Sequence, residues 1–193
     1  MDKLCKVIRA VSVPPLAALV MVSALYIFAP GSLGALPQAI ALVVFLTVLP
    51  VLAYPLQPLI PGFKGTGRAG QRKLAFIACV VGYACGIAFA LLTRAPRTVH
   101  IIYWTYFLSV ALLTVFNAAT KWKASGHACG VAGPLIAMIY FLGARTLPLI
   151  LAYFAVFWAS VRIKRHTPLE FILGGLDSIA AFALVLLVSK LLF

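Results

Sequence analysis

Negative charge is almost absent from this sequence: its 193 residues include three acids, Asp2, Glu170 and Asp177, against sixteen lysines and arginines. Charge of either sign is sparse, at 10% of residues, which excludes an ordinary soluble domain, where about a quarter of residues are charged. Neither a Lys/Arg-rich arm nor a platform of stacking aromatics stands outside the apolar runs. The net charge of +13 therefore points to anionic headgroups or phosphates and not to nucleic acid. Paired Cys-x-x-Cys spacing is missing as well. Cys79, Cys85 and Cys129 fall inside apolar runs and Cys5 near the amino terminus, so all four are expected as small, buried apolar residues. No internal repeat, low-complexity tract or soluble linker domain interrupts the chain.

What fills the sequence is hydrocarbon. Hydrophobic residues make up 64% and the mean hydropathy is +1.12. Their runs are continuous where a barrel strand would alternate, and a helix satisfies its own backbone in lipid, so the expected fold is all-α. At 1.5 Å per residue a span needs about 20 apolar residues. The runs predict a polytopic membrane bundle of about six to seven helices, forming one domain over residues 1–193. They lie at Val11 to Ala29, Leu36 to Leu56, Leu74 to Leu92, Val99 to Ala119, Gly126 to Gly143, Leu147 to Val161 and Leu169 to Leu192. Lys3, Lys6 and Arg9 give the first run the basic start of a signal peptide, but its length and the lack of a small-residue cleavage site predict a retained span.

Alternating spans put twelve of the sixteen basic residues on the amino-terminal side. Arg94, Arg97, Arg145 and Lys190 make up the other side. By the positive-inside rule the amino terminus and the three basic loops are expected in the cytoplasm. Orientation alone accounts for the cations, but not for what stands among them.

Two of the three histidines, His127 and His166, lie in these loops or at the helix starts beyond them. In Lys121-Trp-Lys-Ala-Ser-Gly-His127, Ser125 is placed to cap a helix beginning near Gly126, leaving backbone N–H groups toward the loop, where an anion binds readily. Gly126-x-x-x-Gly130 also reads as a helix-packing pair. In Arg162-Ile-Lys-Arg-His166-Thr-Pro-Leu-Glu170, Thr167, Pro168 and Glu170 form a capping box. A carboxylate four residues after a histidine can also fix the imidazole's tautomer and orientation. The third cluster, Phe63 to Lys73, is expected as a flexible glycine-rich loop carrying Lys64, Arg68, Arg72 and Lys73; it lacks the residue order of a P-loop.

Parity brings all three clusters to one face. Several cations for a phosphate, one imidazole for attack and one for proton transfer form an inventory for phosphoryl transfer. Two histidines and a glutamate can also bind a metal, but the surrounding cations repel one, and no metal or other cofactor is expected. His100, on the opposite face, is expected at the interface, as are Trp104, Trp122, Trp158, Tyr103 and Tyr106. Asp177, on a face similar to that of Glu170 and deeper, is expected to find a polar partner, either a structural one or an active-site cation.

These residues resemble the type 2 phosphatidic acid phosphatase superfamily over about residues 62–193. Ser125-Gly126-His127 is similar to its second motif, and His166 with Glu170, followed by Gly174-Gly175, to its third. The resemblance implies a metal-independent membrane phosphatase acting on an isoprenoid or glycerolipid phosphate. In it His166 would be the nucleophile that becomes a phosphohistidine, His127 the acid to the leaving group and Glu170 the orienter of His166. Lys64, Arg68, Arg72, Ser125, Gly126 and Arg162 would bind phosphate. Three positions depart from the pattern: Ser160 stands where an arginine is usual, Glu170 where aspartate is usual, and Lys73 follows Arg72 where proline is usual. Two rivals share the inventory: a non-catalytic lipid-phosphate binder or transporter, and a bundle holding haem between His127 and His166.

Overall fold

The computed structural model describes residues 1–192, with side chains through residue 190. Among them there is no strand, and the chain is an all-α bundle. Its helices are α1 (Asp2–Val11), α2 (Pro14–Phe28), α3 (Leu36–Val43), α4 (Leu49–Leu56), α5 (Gly67–Leu92), α6 (Arg97–Ala119), α7 (Gly126–Leu142), α8 (Ile150–Arg162) and α9 (Pro168–Leu192).

Five helical segments are long and apolar enough to cross a membrane: Leu36–Leu59, Gly67–Leu92, Arg97–Ala119, Ala144–Arg162 and Pro168–Lys190. A sixth arises if α1 and α2 count as one bent span. The fifth expected span, Gly126 to Gly143, forms α7, which has only 17 residues. It lies in the middle of the bundle, packed on both α2 and α9. Apolar side chains such as Val20, Ile27, Leu151 and Leu187 remain exposed on the outside, as lipid-facing residues of a multi-pass membrane protein are.

Local chemistry explains where the helices depart from expectation. The first run was expected to span from Val11, but α1 and α2 meet at a bend of 55°. Pro14 and Pro15 open α2, and a residue before proline is pushed out of the α region; Val13 is accordingly extended, at φ −61° and ψ 143°. Within the second span Pro50 cannot donate to the preceding turn, and the ladder widens to a π-turn over Val44–Val48. Residues from Gly67 onward, expected in a flexible loop, belong to α5. Only Lys64 of that cluster's four cations stays in the connection.

Burial corrects three further expectations. Tyr103 is fully buried, and its ring lies against Gly86, where a Cβ would come within 2.1 Å of it; it is a core residue and not an interfacial anchor. His100 is likewise buried at the start of α6. Cys85 is exposed, whereas Cys5 and Cys129 are buried and Cys79 is half-buried.

A candidate phosphate site at the basic end of the bundle

The three clusters meet at one end of the bundle. α9 is positioned there by a turn at the end of α8: Lys164, at φ +54°, adopts a left-handed conformation rare outside glycine. The turn is closed by Lys164 N donating to Val161 O and Arg165 N donating to Ser160 O, each at 3.0 Å. Arg165 and His166 are thereby directed back across the bundle end before α9 begins.

Glu170 is placed for both of the tasks its sequence suggests. It completes the capping box, with Glu170 N donating to Thr167 Oγ1 at 3.2 Å and Thr167 N donating to Glu170 Oε2 at 3.1 Å. The same Oε2 lies 3.2 Å from His166 Nδ1, the only approach of an acidic to a basic side chain within 4.0 Å among the described residues. The carboxylate accepts from Nδ1–H, so the neutral imidazole keeps its free lone pair on Nε2. Burial holds the His166 pKa below its usual value; Glu170 opposes this, while Arg9 and Arg72 add to the lowering.

The start of α7 is built just as tightly. Ser125 caps the helix, its Oγ accepting from Ala128 N at 3.2 Å. Its own amide donates to Glu170 O at 2.9 Å. Asn117, at the end of α6, clamps the preceding loop in both directions: its Oδ1 accepts from Ala124 N at 2.6 Å and its Nδ2 donates to Ala124 O at 3.2 Å. Lys123 folds back onto the Asn117 carbonyl. Nothing in the sequence around Asn117 marks this role, since one amide in an apolar helix has no periodicity to read.

Between these elements lies a cavity of about 520 Å³. His166, Glu170, Gly126 and three cations, Arg72, Lys123 and Arg165, line it together with Asn117. Phe76 and Leu113 provide an apolar wall. Of the residues expected to bind phosphate, Arg72 and Gly126 reach the cavity, and Ser125 is buried beneath it as the cap. Lys64, Arg68 and Arg162 are exposed and do not line it.

His127 is half-buried beside the cavity and is not part of its lining. Its Nε2 and Ser12 Oγ share a hydrogen bond of 3.2 Å. One helical turn earlier, Arg9 Nη1 donates to Ser160 Oγ at 2.8 Å. Both partners come from the amino-terminal segment, which the motifs do not include. A signal for them does exist: residues 5, 8, 9 and 12 follow the i, i+3, i+4, i+7 spacing of one helix face.

Asp177 meets no cation among the described residues. It accepts from Cys129 Sγ at 3.3 Å, and Ser178 Oγ donates to Cys129 O at 2.7 Å, so this pair ties α9 to α7 structurally. Among the described residues no three His, Cys, Asp or Glu side chains converge in a group able to hold a metal ion. No protein-family model matches the chain, and no curated protein or solved structure matches it either.

Proposed function

We propose that this protein is a membrane phosphatase that hydrolyses the phosphate monoester or diphosphate of a lipid through a phosphohistidine on His166. The observation carrying the reading is the makeup of one cavity, in which an imidazole with a carboxylate on Nδ1 faces three cations beside an apolar wall. A phosphate headgroup requires the cations, and a lipid chain requires the wall and the gaps between helices.

In the first step the His166 Nε2 lone pair attacks phosphorus, forming a P–N bond as the bond from phosphorus to the lipid oxygen breaks. Glu170 stabilises the positive charge that grows on the ring. His127, whose pKa burial, Arg9 and His166 push down to about 4, takes up a proton as the bound phosphate brings negative charge beside it and gives that proton to the departing oxygen. In the second step His127, now neutral, takes a proton from water as the water oxygen attacks phosphorus. The P–N bond breaks, returning the electron pair to His166 and releasing inorganic phosphate. Arg72, Lys123 and Arg165 with the amides at the start of α7 stabilise the phosphoryl oxygens throughout.

For His127 to act this way, the Ser12 hydroxyl must yield its place or relay the proton; catalytic hydrogen bonds often tighten only around substrate. The resemblance to type 2 phosphatidic acid phosphatases supports the same assignment of roles. The positive-inside rule would open the site to the cytoplasmic leaflet. Cysteines introduced singly at Lys123 and Arg94 test that: an impermeant reagent applied outside should label only the Arg94 site, and labelling of the Lys123 site alone would reverse the orientation.

The activity itself is tested with purified protein in detergent, incubated with lipid phosphates and a chelator. Phosphate release that His166→Ala abolishes, with a trapped phosphohistidine in the wild type, is the expected result. Wild-type rates in His166→Ala would remove the proposed nucleophile. Absence of any covalent intermediate, with lipid phosphate still bound, would favour a binder.

A further inference from the structure

Helix α1 has three faces. Cys5, Ile8 and Arg9 look toward the bundle: Cys5 is fully buried, and Ile8 packs on the cluster of Ala128, Val156 and Phe171. Leu4, Val7 and Val11 form a second, apolar face that is 56–64% exposed. Lys3 and Lys6 occupy a third, exposed one. A short helix with exposed apolar residues next to lysines, set at 55° to the span that follows, has the form of a helix lying in the membrane interface.

Arg9 is the one cation that this helix turns inward. Its guanidinium is half-buried, makes a single hydrogen bond, to Ser160, and has no carboxylate within 4.0 Å among the described residues. A guanidinium has five N–H donors, and taking it partly out of water with no counter-charge is unfavourable. The fold nevertheless holds it there, anchored by Ile8 on one side and, one turn on, by the bond between Ser12 and His127. Its charge is felt at both His127 and His166. Among the described residues no acidic side chain offsets that charge.

We propose that Arg9, half-buried beside the cavity and not part of its lining, is a phosphate-binding residue of this site, delivered by the interfacial helix α1 and held in place by Ser160. The inference rests on the phosphatase reading and adds to it a residue outside every motif. Ser160, where the resemblance leads one to expect an arginine, is the residue to which the Arg9 guanidinium is bonded. Because α1 lies at the interface, a phosphate bound by Arg9 would belong to a lipid still resident in the bilayer.

The test measures anion binding separately from turnover, by titrating orthovanadate into the full-length protein in detergent by calorimetry. Arg9→Gln should bind it at least about tenfold more weakly than wild type, since a charge-assisted, forked contact contributes on that scale. Arg9→Lys, which keeps the charge and loses the fork, should lie between. Lys6→Gln, on the outward face of the same helix, should remain within about twofold, as for a substitution of an exposed side chain. Wild-type affinity in Arg9→Gln would overturn the role of Arg9 while leaving the phosphatase reading intact. Equal losses in Arg9→Gln and Lys6→Gln would also overturn it, showing only an effect of net charge. A wild type that binds no vanadate and releases no phosphate would defeat the phosphatase reading and this inference together. Should Arg9→Gln lose its melting transition, Arg9→Lys decides: a severalfold loss supports the proposal and unchanged affinity refutes it.

Discussion

The main-chain amide of Ser125 donates to the main-chain carbonyl of Glu170 at 2.9 Å. Forty-five positions apart in the chain, the two residues are the cap of α7 and the glutamate whose carboxylate is hydrogen-bonded to His166. One backbone bond thus sets the start of one helix against the start of another. The contact leaves no room for a side chain at Gly174, where a Cβ would come within 2.2 Å of Ser125 O and 3.0 Å of the Ala128 Cβ.

Gly174→Ala is expected to separate α9 from α7 at this point, with an overpacking cost of about 1–3 kcal/mol and a large loss of phosphate release. Gly175→Ala is the comparison. Its Cβ would meet the hydroxyl end of Tyr153 at 2.3 Å, a side-chain tip able to swing aside, so a smaller loss of both is expected. Melting curves in detergent, read beside rates, distinguish the two; equal effects would argue against the backbone contact as the cause.

The role given to His127 predicts a dependence on the leaving group. His127→Gln should slow release from an alkyl or prenyl phosphate by about 10²–10⁴-fold, the usual scale of general acid catalysis. An aryl phosphate, whose phenolate departs without a proton, should lose far less in forming the phosphohistidine. A uniform loss across both substrates, measured by burst kinetics, would assign His127 to structure.

Glu170 and His166 predict a pH dependence whose sign follows from their environment. Burial, Arg9 and Arg72 lower the His166 pKa against the opposing pull of Glu170, so the ring stays neutral and nucleophilic below its ordinary value of 6.5. The acid limb of kcat/KM should therefore lie below about 6.5. Glu170→Gln removes the raising influence and should move that limb further down, while lowering the rate at its optimum about 10- to 100-fold through lost orientation. The same lowering links to stability: the unfolded chain binds the proton more tightly, so this contribution is full above about pH 6.5 and is lost as the pH falls to the lowered value.

Among the basic residues, placement sorts the expected effects. Arg72→Gln, at the cavity, should raise KM for a lipid phosphate about tenfold, as expected for loss of a charge-assisted contact. Lys64→Gln, Arg68→Gln and Arg162→Gln alter exposed side chains away from the cavity lining and should stay within about twofold. A tenfold effect at Arg68 would show that substrate draws the start of α5 inward.

Composition was enough to determine an all-α membrane bundle, because a continuous apolar chain with so few charges can satisfy its backbone in lipid only as helices. Span parity likewise placed His127, His166 and the basic clusters at one end, and the Thr167–Glu170 spacing announced its capping box; both are short-range properties of the chain. Prolines and glycines misled in opposite directions. Pro14 and Pro15 broke a run that hydropathy joins, whereas Gly67 and Gly70, which suggest a loop, lie within α5. Only the tertiary structure decided which cations reach the cavity, because facing direction depends on how helices pack and not on their place in a motif. It brought Arg72 to the site and left Arg68 one turn away outside it, buried Tyr103 against Gly86, and turned Arg9 from a topology signal into a neighbour of both histidines. That last placement joins residues 9 and 160, a contact across most of the chain that no local spacing encodes.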